Sequence, residues 1–216
     1  MKLTKIKLIA FDFDGTLSDS HDAAIDVFNS LADQFGYRKV HAQDLSIIRE
    51  KTSREVLKYL GISYLKLPFV LRAARTRFQS KIDGLQPFEG INDVLSDLRS
   101  QNYQLGILTS NSKENVSRFL RRNDLDVFHF VYSDISVFGK TRVIKSLLRK
   151  AKVTPEEAIY VGDETRDVDA AKAAGIQVVS VTWGFNTRQI LMTQKPDYIL
   201  DYPAQLMELF ARALVE

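Results

Sequence analysis

The chain has 216 residues, 45% of them hydrophobic, and its 30 basic and 27 acidic residues give a net charge of +3. This length supports a substantial core, arranged either as one domain with an insertion or as two small domains. The absence of cysteine excludes disulfides, thiolate metal ligands and cysteine nucleophiles. The basic residues are not clustered among aromatic residues, so we expect no nucleic-acid partner.

The apolar segments are all too short for a membrane span. The first residues also lack the apolar stretch and small-residue cleavage site of a signal peptide. We therefore expect a cytoplasmic, soluble protein that has no membrane partner. The sequence leaves open whether it is a monomer or a homodimer.

The first predicted element is a strand over residues 5–13, which the turn-forming Asp14-Gly15-Thr16 ends. Apolar residues at helical spacing follow, and no strand signal interrupts them before about residue 83. Helices are predicted here from Ser20 to a stop at Gly36, over 53–60 with a stop at Gly61, and from about 68 to 82.

Beyond Pro87, helices alternate with short strands. The predicted helices cover 91–100, 113–122, 140–151 and 167–174, and the predicted strands cover 105–109, 130–133, 158–161, 177–181 and 198–200. This alternation predicts an α/β fold with a Rossmann-like parallel sheet and helices on both faces. The helical block interrupts it after the first strand. We therefore interpret residues 19–83 as an inserted all-helical domain, and residues 1–18 with 84–216 as the α/β core.

Ligands of open parallel sheets collect at the carboxyl ends of the strands. The polar residues at those ends are Asp12, Asp14, Thr109, Ser110, Asp163 and Asp167. Asp12 and Asp14 point to the same side of a strand, where two carboxylates repel unless a cation or a proton relieves them. A polar turn would explain Asp14, but it does not explain Asp12 inside an apolar strand end.

Three further signals are each ambiguous. Asp163 and Asp167 lie one helical turn apart, which suits a metal site or an ordinary helix cap. The segment Thr109-Ser110-Asn111 precedes a helix, and it could hold a phosphate or only cap the helix. Lys140 begins a helix and is either solvated or directed at the acidic residues.

In this order, these signals resemble the haloacid dehalogenase superfamily, in its phosphoglycolate-phosphatase-like branch, over essentially the whole chain. The matching segments are Asp12-Phe13-Asp14-Gly15-Thr16-Leu17 for the family's first motif, Thr109 for the second, Lys140 for the third, and Gly162-Asp163 with Asp167 for the fourth. The first and fourth motifs are specific, whereas the second and third are not. The inserted block matches the position of the family's helical cap domain.

The resemblance implies a phosphatase acting on a small organic phosphate monoester, phosphoglycolate-like or a sugar phosphate. Asp12 would attack phosphorus and become an aspartyl phosphate. Asp14 would protonate the leaving alkoxide and then take a proton from the hydrolytic water.

The resemblance also implies Mg²⁺ as the cofactor. Its ligands would be the Asp12 carboxylate, the Asp14 carbonyl and Asp163, with Asp167 acting through water. The phosphate oxygens would be held by Thr109 with the neighbouring Ser110 and Asn111, while Lys140 would steady Asp12 and the transferring group.

Other functions use part of the same residue set. A phosphomutase of this fold would keep all of it and exclude water. A haloacid dehalogenase would need no acid at Asp14. A receiver-like signalling domain would carry no helical insertion, and a silent phosphate-binding protein would be expected to have lost a catalytic residue.

Within the predicted cap, residues 49–54 lie between two helices, where a cap can contact the leaving group. Arg49 is therefore a candidate for binding a carboxylate or a second phosphate of the substrate. The alternative is that Ser53 only caps a helix and the charges are solvated. The segment Trp183-Gly184-Phe185 is interpreted as core packing beside a turn.

Overall fold

The computed structural model describes residues 3–133, 135–136 and 139–213. In these residues six strands form a single, entirely parallel sheet. The strands are β1 Leu8–Phe11, β2 Gln104–Leu108, β3 Phe130–Tyr132, β4 Ala158–Gly162, β5 Gln177–Val181 and β6 Tyr198–Leu200. Their order in the sheet is β3-β2-β1-β4-β5-β6, the arrangement of doubly wound nucleotide-binding folds.

Ten α-helices surround or extend this sheet in the described residues. They are α1 His21–Phe35, α2 Ala42–Arg49, α3 Ser53–Leu60, α4 Leu67–Phe78, α5 Ile91–Ser100, α6 Lys113–Arg122, α7 Lys140–Ala151, α8 Thr165–Ala174, α9 Arg188–Thr193 and α10 Ala204–Ala213. The predictions of α3, α5, α6 and α7 are confirmed residue for residue. The sequence analysis did not assign α2, α9 or α10.

The two faces of the sheet carry separate apolar clusters, as the alternation of strand side chains requires. Ile9 and Phe11 of β1 belong to one cluster, with side chains of α5, α6 and α10. Leu8 and Ala10 belong to the other, with side chains of α7 and α8. Helices therefore cover both faces, and the predicted α/β fold class is confirmed.

Three predicted elements differ from the structure by two residues or more at one or both ends. β1 begins only at Leu8, because Leu3–Lys5 form a 3₁₀ turn. The helix predicted from about 68 to 82 ends at Phe78, because the amides of the next two residues bond three residues back, and a 3₁₀ turn follows at Ile82–Gly84. The helix α8 begins two residues before Asp167, whose side chain accepts the Glu164 amide in a capping box.

The helical block leaves and re-enters the core at one place. Ser18 forms a bridge with Pro87, the Asp19 amide donates to the Gln86 carbonyl, and the Phe88 amide donates to Leu17. Between these ends, residues 40–70 contain an apolar cluster of their own. The division at residues 19–83 stays a prediction, and its outer limits at residues 1 and 216 lie outside the described residues. In the described part of the chain, no helix has the length and apolar character needed to cross a membrane.

Candidate active site

The site lies where the strand order reverses. β1 and β4 are neighbours, with Phe11 paired to Val161. β1 leads on to β2 on one side, and β4 leads on to β5 on the other, which opens a crevice at the carboxyl edge of the sheet. Asp12 follows β1 directly and Asp163 follows β4 directly, so the fold brings these two residues together at that crevice.

Lys140 links two buried carboxylates. Its Nζ donates to Asp12 Oδ2 and to Asp167 Oδ1, each at 2.5 Å. Alternation along β1 directs Asp12 to the same face as Ala10, where α7 begins with Lys140. The next residue, Phe13, points the other way and packs edge-on against Phe119. The structure therefore gives Lys140 a buried position between acidic groups rather than a solvated one.

Asp163 completes an acidic triad with Asp12 and Asp167. One carboxylate oxygen from each of the three lies within 4.8 Å of the others, and all three residues are buried. Asp163 accepts hydrogen bonds from the Thr16 hydroxyl at 2.8 Å and from the Phe185 amide at 2.7 Å. When ionised, the three carboxylates carry two more negative charges than Lys140 neutralises.

The pKa values reflect this crowding. Burial raises the pKa of Asp12 to about 6, although Lys140 acts in the opposite direction. Burial and the Glu164 charge raise the pKa of Asp163 well above its ordinary value. For Lys140, burial would lower the pKa, but Asp12 and Asp167 raise it above the ordinary value. Asp12 and Asp163 therefore resist ionisation unless another positive charge joins them.

Two glycines permit the close packing around Asp163. A Cβ on Gly15, which has a φ of +76°, would lie 2.3 Å from Asp163 Oδ2. A Cβ on Gly184 would lie 2.2 Å from the Asp163 Cβ and 2.3 Å from the Gly15 carbonyl. Because no larger side chain fits at either position, these glycines belong to the site.

Asp14 stands apart from the triad and lines the neighbouring cavity. The Asn111 side chain donates to both of its carboxylate oxygens at 3.2 Å. Burial and the Asp12 charge raise the pKa of Asp14 to about 6. A carboxyl whose pKa lies closer to neutral pH than usual is suited to protonating a leaving group.

The segment 109–111 follows β2 and also reaches the site. The Thr109 hydroxyl accepts the Asn111 amide at 2.9 Å, and Ser110 lines the cavity together with Asn111. The sequence analysis assigned these three residues to phosphate binding, which stays a prediction. It did not foresee that the Asn111 side chain contacts Asp14.

The segment Trp183-Gly184-Phe185 does more than the expected core packing. The Trp183 side chain packs against the main apolar cluster, as expected, but its Nε1 also donates to the Thr16 carbonyl at 3.1 Å. The Phe185 amide donates to Asp163. The turn therefore holds Asp163 in position. The sequence signal for this role is weak and consists of two aromatic residues on either side of a glycine.

The cap loop is joined to this turn by hydrogen bonds. Arg49 donates through Nε to the Phe185 carbonyl at 2.9 Å and through Nη2 to the Gly184 carbonyl at 3.1 Å. The Asn186 side chain donates to the carbonyls of Arg49 and Lys51, at 3.0 Å each. Arg49 is not among the cavity-lining residues. Its guanidinium attaches the cap to the core, and its contact with substrate stays a prediction.

Ser53 makes a second junction between cap and core. Its hydroxyl donates to Glu164 Oε2 at 2.9 Å. The expectation that Ser53 caps a helix is wrong, because Thr52 is the N-cap of α3 and accepts the Glu55 amide. The capping box that the sequence contains is formed by Thr52 and Glu55. Ser53 is not part of it, so its hydroxyl can donate to Glu164 on the core.

An ion pair lies beside the triad. Arg166 pairs with Glu164, and both side chains are largely buried. Burial would raise the pKa of Glu164, but Arg166 lowers it below the ordinary value. The Arg166 Nε is buried and has no hydrogen-bond partner in the described part of the chain. Neither side chain was assigned a role from the sequence, because a charged pair at a helix start looks like ordinary capping.

A cavity of about 270 Å³ separates the cap from the sheet edge. Its core end is lined by Asp14, Asn111, Asp163, Glu164 and Arg166, and its other walls come from the helices of the cap. The acidic triad thus adjoins, through Asp163, a partly open cleft large enough for a small substrate.

Comparison with known proteins agrees with this geometry. Residues 9–181 match the haloacid dehalogenase-like hydrolase family. A phosphoglycolate phosphatase of Synechococcus elongatus is 37% identical over 94% of this chain and 96% of its own length. The pyrophosphatase PpaX of Bacillus mycoides is 26% identical over 96% of this chain and 98% of its own length. A haloacid dehalogenase-like hydrolase from Streptococcus pneumoniae superposes with a TM-score of 0.79 at 28% identity, over 96% of this chain and 99% of that one.

The chain therefore belongs to the haloacid dehalogenase-like hydrolases. Within that family it is a phosphoglycolate-phosphatase-like hydrolase, similar to its Synechococcus relative over nearly the full length of both chains. The suspected family membership is confirmed.

Proposed function

We propose that this protein is a Mg²⁺-dependent phosphatase that hydrolyses a small organic phosphate monoester through an aspartyl phosphate on Asp12. The observation that carries the proposal is the buried triad of Asp12, Asp163 and Asp167 around Lys140, with Asp14 beside it on the cavity wall. A phosphoglycolate phosphatase among the relatives supports a phosphate monoester as substrate.

The proposed reaction has two displacements. A carboxylate oxygen of Asp12 forms a bond to phosphorus while the bond from phosphorus to the alcohol oxygen breaks, and the proton of Asp14 goes to that oxygen. Water then attacks the aspartyl phosphate and gives its proton to Asp14. Asp12 is regenerated, and the products are the free alcohol and inorganic phosphate.

The residues fit a divalent cation. Three buried carboxylates offer hard oxygen ligands within 4.8 Å of one another, and they carry two negative charges in excess of Lys140. Asp12, Asp163 and the Asp14 carbonyl would hold Mg²⁺, with Asp167 acting through water. When bound, the ion would offset the repulsion between an anionic nucleophile and an anionic phosphate, which is about 4 kcal/mol per charge pair at 4 Å and an effective dielectric of 20.

Other groups at the core end of the cavity suit a phosphate. The unpartnered Nε–H of Arg166 is buried there, and a phosphate oxygen would give it an acceptor. Ser110 and Asn111 lie on the same wall. A phosphomutase would share all these contacts, so the identity of the phosphoryl acceptor separates the two reactions.

The test is release of inorganic phosphate from p-nitrophenyl phosphate and phosphoglycolate, with Mg²⁺ and with a chelator. We expect Mg²⁺-dependent turnover that falls at least about a thousandfold in Asp12→Asn. Asp169→Asn is the matched control, because this exposed residue lies on α8 beside the site without reaching it. Trp183, the only tryptophan, gives an independent fluorescence signal for Mg²⁺ binding.

Three results would count against the proposal. Turnover that persists in Asp12→Asn would show that Asp12 is not the nucleophile. Equal turnover with and without the chelator would show that the reaction does not need a metal ion. A phosphoryl group that moves to a second organic phosphate without appearing as inorganic phosphate identifies a mutase.

A further inference from the structure

The cavity has two chemically different ends. The end at the sheet edge carries the acidic residues and both arginines of the lining. The rest of the wall is mainly formed by aliphatic and aromatic side chains of the cap helices, among them Ile25, Phe28, Val56, Leu57, Leu71 and Phe78, with Ser20, His21 and Ser53 as its polar members. Asp14, the proposed donor of a proton to the leaving oxygen, is one of the acidic residues of the lining.

The cations in the lining are already engaged on the core side. Arg75 donates to the carbonyls of Ser110 and Ile135, at 2.6 and 3.3 Å, and Arg166 pairs with Glu164. His21 is the remaining basic residue of the wall, and burial lowers its pKa, so it adds no charge at neutral pH. A carboxylate or second phosphate deep under the cap would therefore lie against apolar side chains without a cation.

The cleft is large compared with the space that an apolar group needs. An apolar cavity of about 150 Å³ is enough to hold benzene. The cavity here has a volume of about 270 Å³, which leaves room for an apolar group of that size beside a phosphate.

We propose that the substrate is a phosphate monoester of an apolar alcohol, whose hydrocarbon part occupies the apolar end of this cavity. The inference rests on the proposed phosphatase function and names the substrate class for it. The phosphate lies at the acidic end, Asp14 protonates the bridging oxygen, and the hydrocarbon extends from that oxygen between α1, α3 and α4.

The first experiment measures kcat/KM with Mg²⁺ for methyl, propyl and hexyl phosphate, phenyl phosphate, phosphoglycolate and pyrophosphate. We expect kcat/KM to rise about three- to fourfold for each added methylene until the cavity is filled, the gain from burying one methylene group. Hexyl and phenyl phosphate should exceed phosphoglycolate and pyrophosphate.

Cap variants then localise the effect. Leu57→Gln should lower kcat/KM about tenfold for hexyl phosphate and less than twofold for methyl phosphate, because it adds a polar group to the apolar wall. Ala24→Leu, which narrows the cavity, should also act against the longer substrates alone. The matched control is Leu65→Gln, since Leu65 is in the cap but 86% exposed and outside the lining. Leu57→Met should keep the wild-type preference.

Calorimetric binding of hexylphosphonate and phosphonoacetate separates this inference from the proposed function, because it needs no turnover. Tighter binding of hexylphosphonate, with a negative heat-capacity change, supports the apolar subsite even in a protein that hydrolyses nothing. Preference for phosphonoacetate, or for phosphoglycolate or pyrophosphate in turnover, overturns the inference and leaves a phosphatase. Absence of turnover on every ester sinks the proposed function alone.

Discussion

The sheet edge and the cap cavity lie side by side but are built on opposite principles. At the sheet edge, charged groups are buried and each carboxylate of the triad has a partner on the core. Under the cap, the wall is almost entirely hydrocarbon. Under the proposed function, the first arrangement would position the reacting groups, and the second would select substrates by size and polarity. The reaction type would then be a property of the core, and the choice of alcohol a property of the insertion.

The two regions also differ in what a change would cost. A lost ammonium at the sheet edge leaves its carboxylate partners buried and unpaired, which costs stability. A lost methyl group in the cavity wall faces a space that is already open. Three predictions, taken from the largest expected effect to the smallest, test this difference.

Removing the central ammonium should be the most destabilising change. Lys140→Met leaves Asp12 and Asp167 buried without their shared cation, so we expect the free energy of unfolding at pH 7.5, without metal, to fall by about 3–5 kcal/mol. Urea denaturation measures it. The loss should shrink when Mg²⁺ is added. Lys145→Met, at an exposed position of the same helix, should change stability by less than about 0.5 kcal/mol. An equal loss in both variants would contradict the ion-pair argument.

Asp14, one of the acidic residues of the cavity lining, should make stability depend on pH. Its pKa is about 6 in the folded protein and 3.8 ordinarily, so its contribution to stability is fully present below pH 3.8 and is lost as the pH rises through 6. Asp14→Asn should therefore stabilise the metal-free protein at pH 8, by at most about 3 kcal/mol. The gain should disappear towards pH 4.

Denaturation of Asp14→Asn and of the wild type between pH 4 and 8 provides the measurement. Asp169→Asn, at an exposed site, should run parallel to the wild type across this range. If the difference in the free energy of unfolding between Asp14→Asn and the wild type is the same at every pH, the pKa of Asp14 is not raised in the folded protein.

The smallest effect is expected where the cap joins the core. Arg49→Ala removes two hydrogen bonds to the turn at residues 184–185, so KM should rise about three- to tenfold through weaker closure, by a similar factor for methyl and hexyl phosphate. Steady-state kinetics on both esters measures it, with the exposed cap residue changed in Arg72→Ala as control. A changed ranking of substrates would instead mean that Arg49 contacts the leaving group.

Much of the sheet edge could be predicted because its signals are local. An aspartate inside an apolar strand end, as at Asp12, is hard to explain except by function, and glycines and caps set the ends of most helices. Lys140 needed the family resemblance, since a lysine at a helix start is usually solvated. Helix α10 carried its own signal in Leu206 and Phe210, which face the core four residues apart, and it was overlooked.

The junctions of cap and core could not be predicted in the same way. The contacts of Arg49 with residues 184–185 and of Ser53 with Glu164 join segments more than a hundred residues apart. These contacts depend on how the cap packs against the core, and the hydrophobic periodicity of the sequence carries no information on that packing. The apolar cavity was hidden for a similar reason, because the half-buried residues that line it have the same spacing as residues that fill a core.

The narrow base of the insertion has an engineering consequence. Because Ser18 and Pro87 adjoin and the neighbouring backbones are hydrogen-bonded, the chain enters and leaves the helical block through a two-stranded ribbon. A segment with adjacent ends can be exchanged for another without altering the spacing of the parent domain. The helical block of this protein is thus suited to exchange for another insertion, because the acidic residues of the site remain on the core domain.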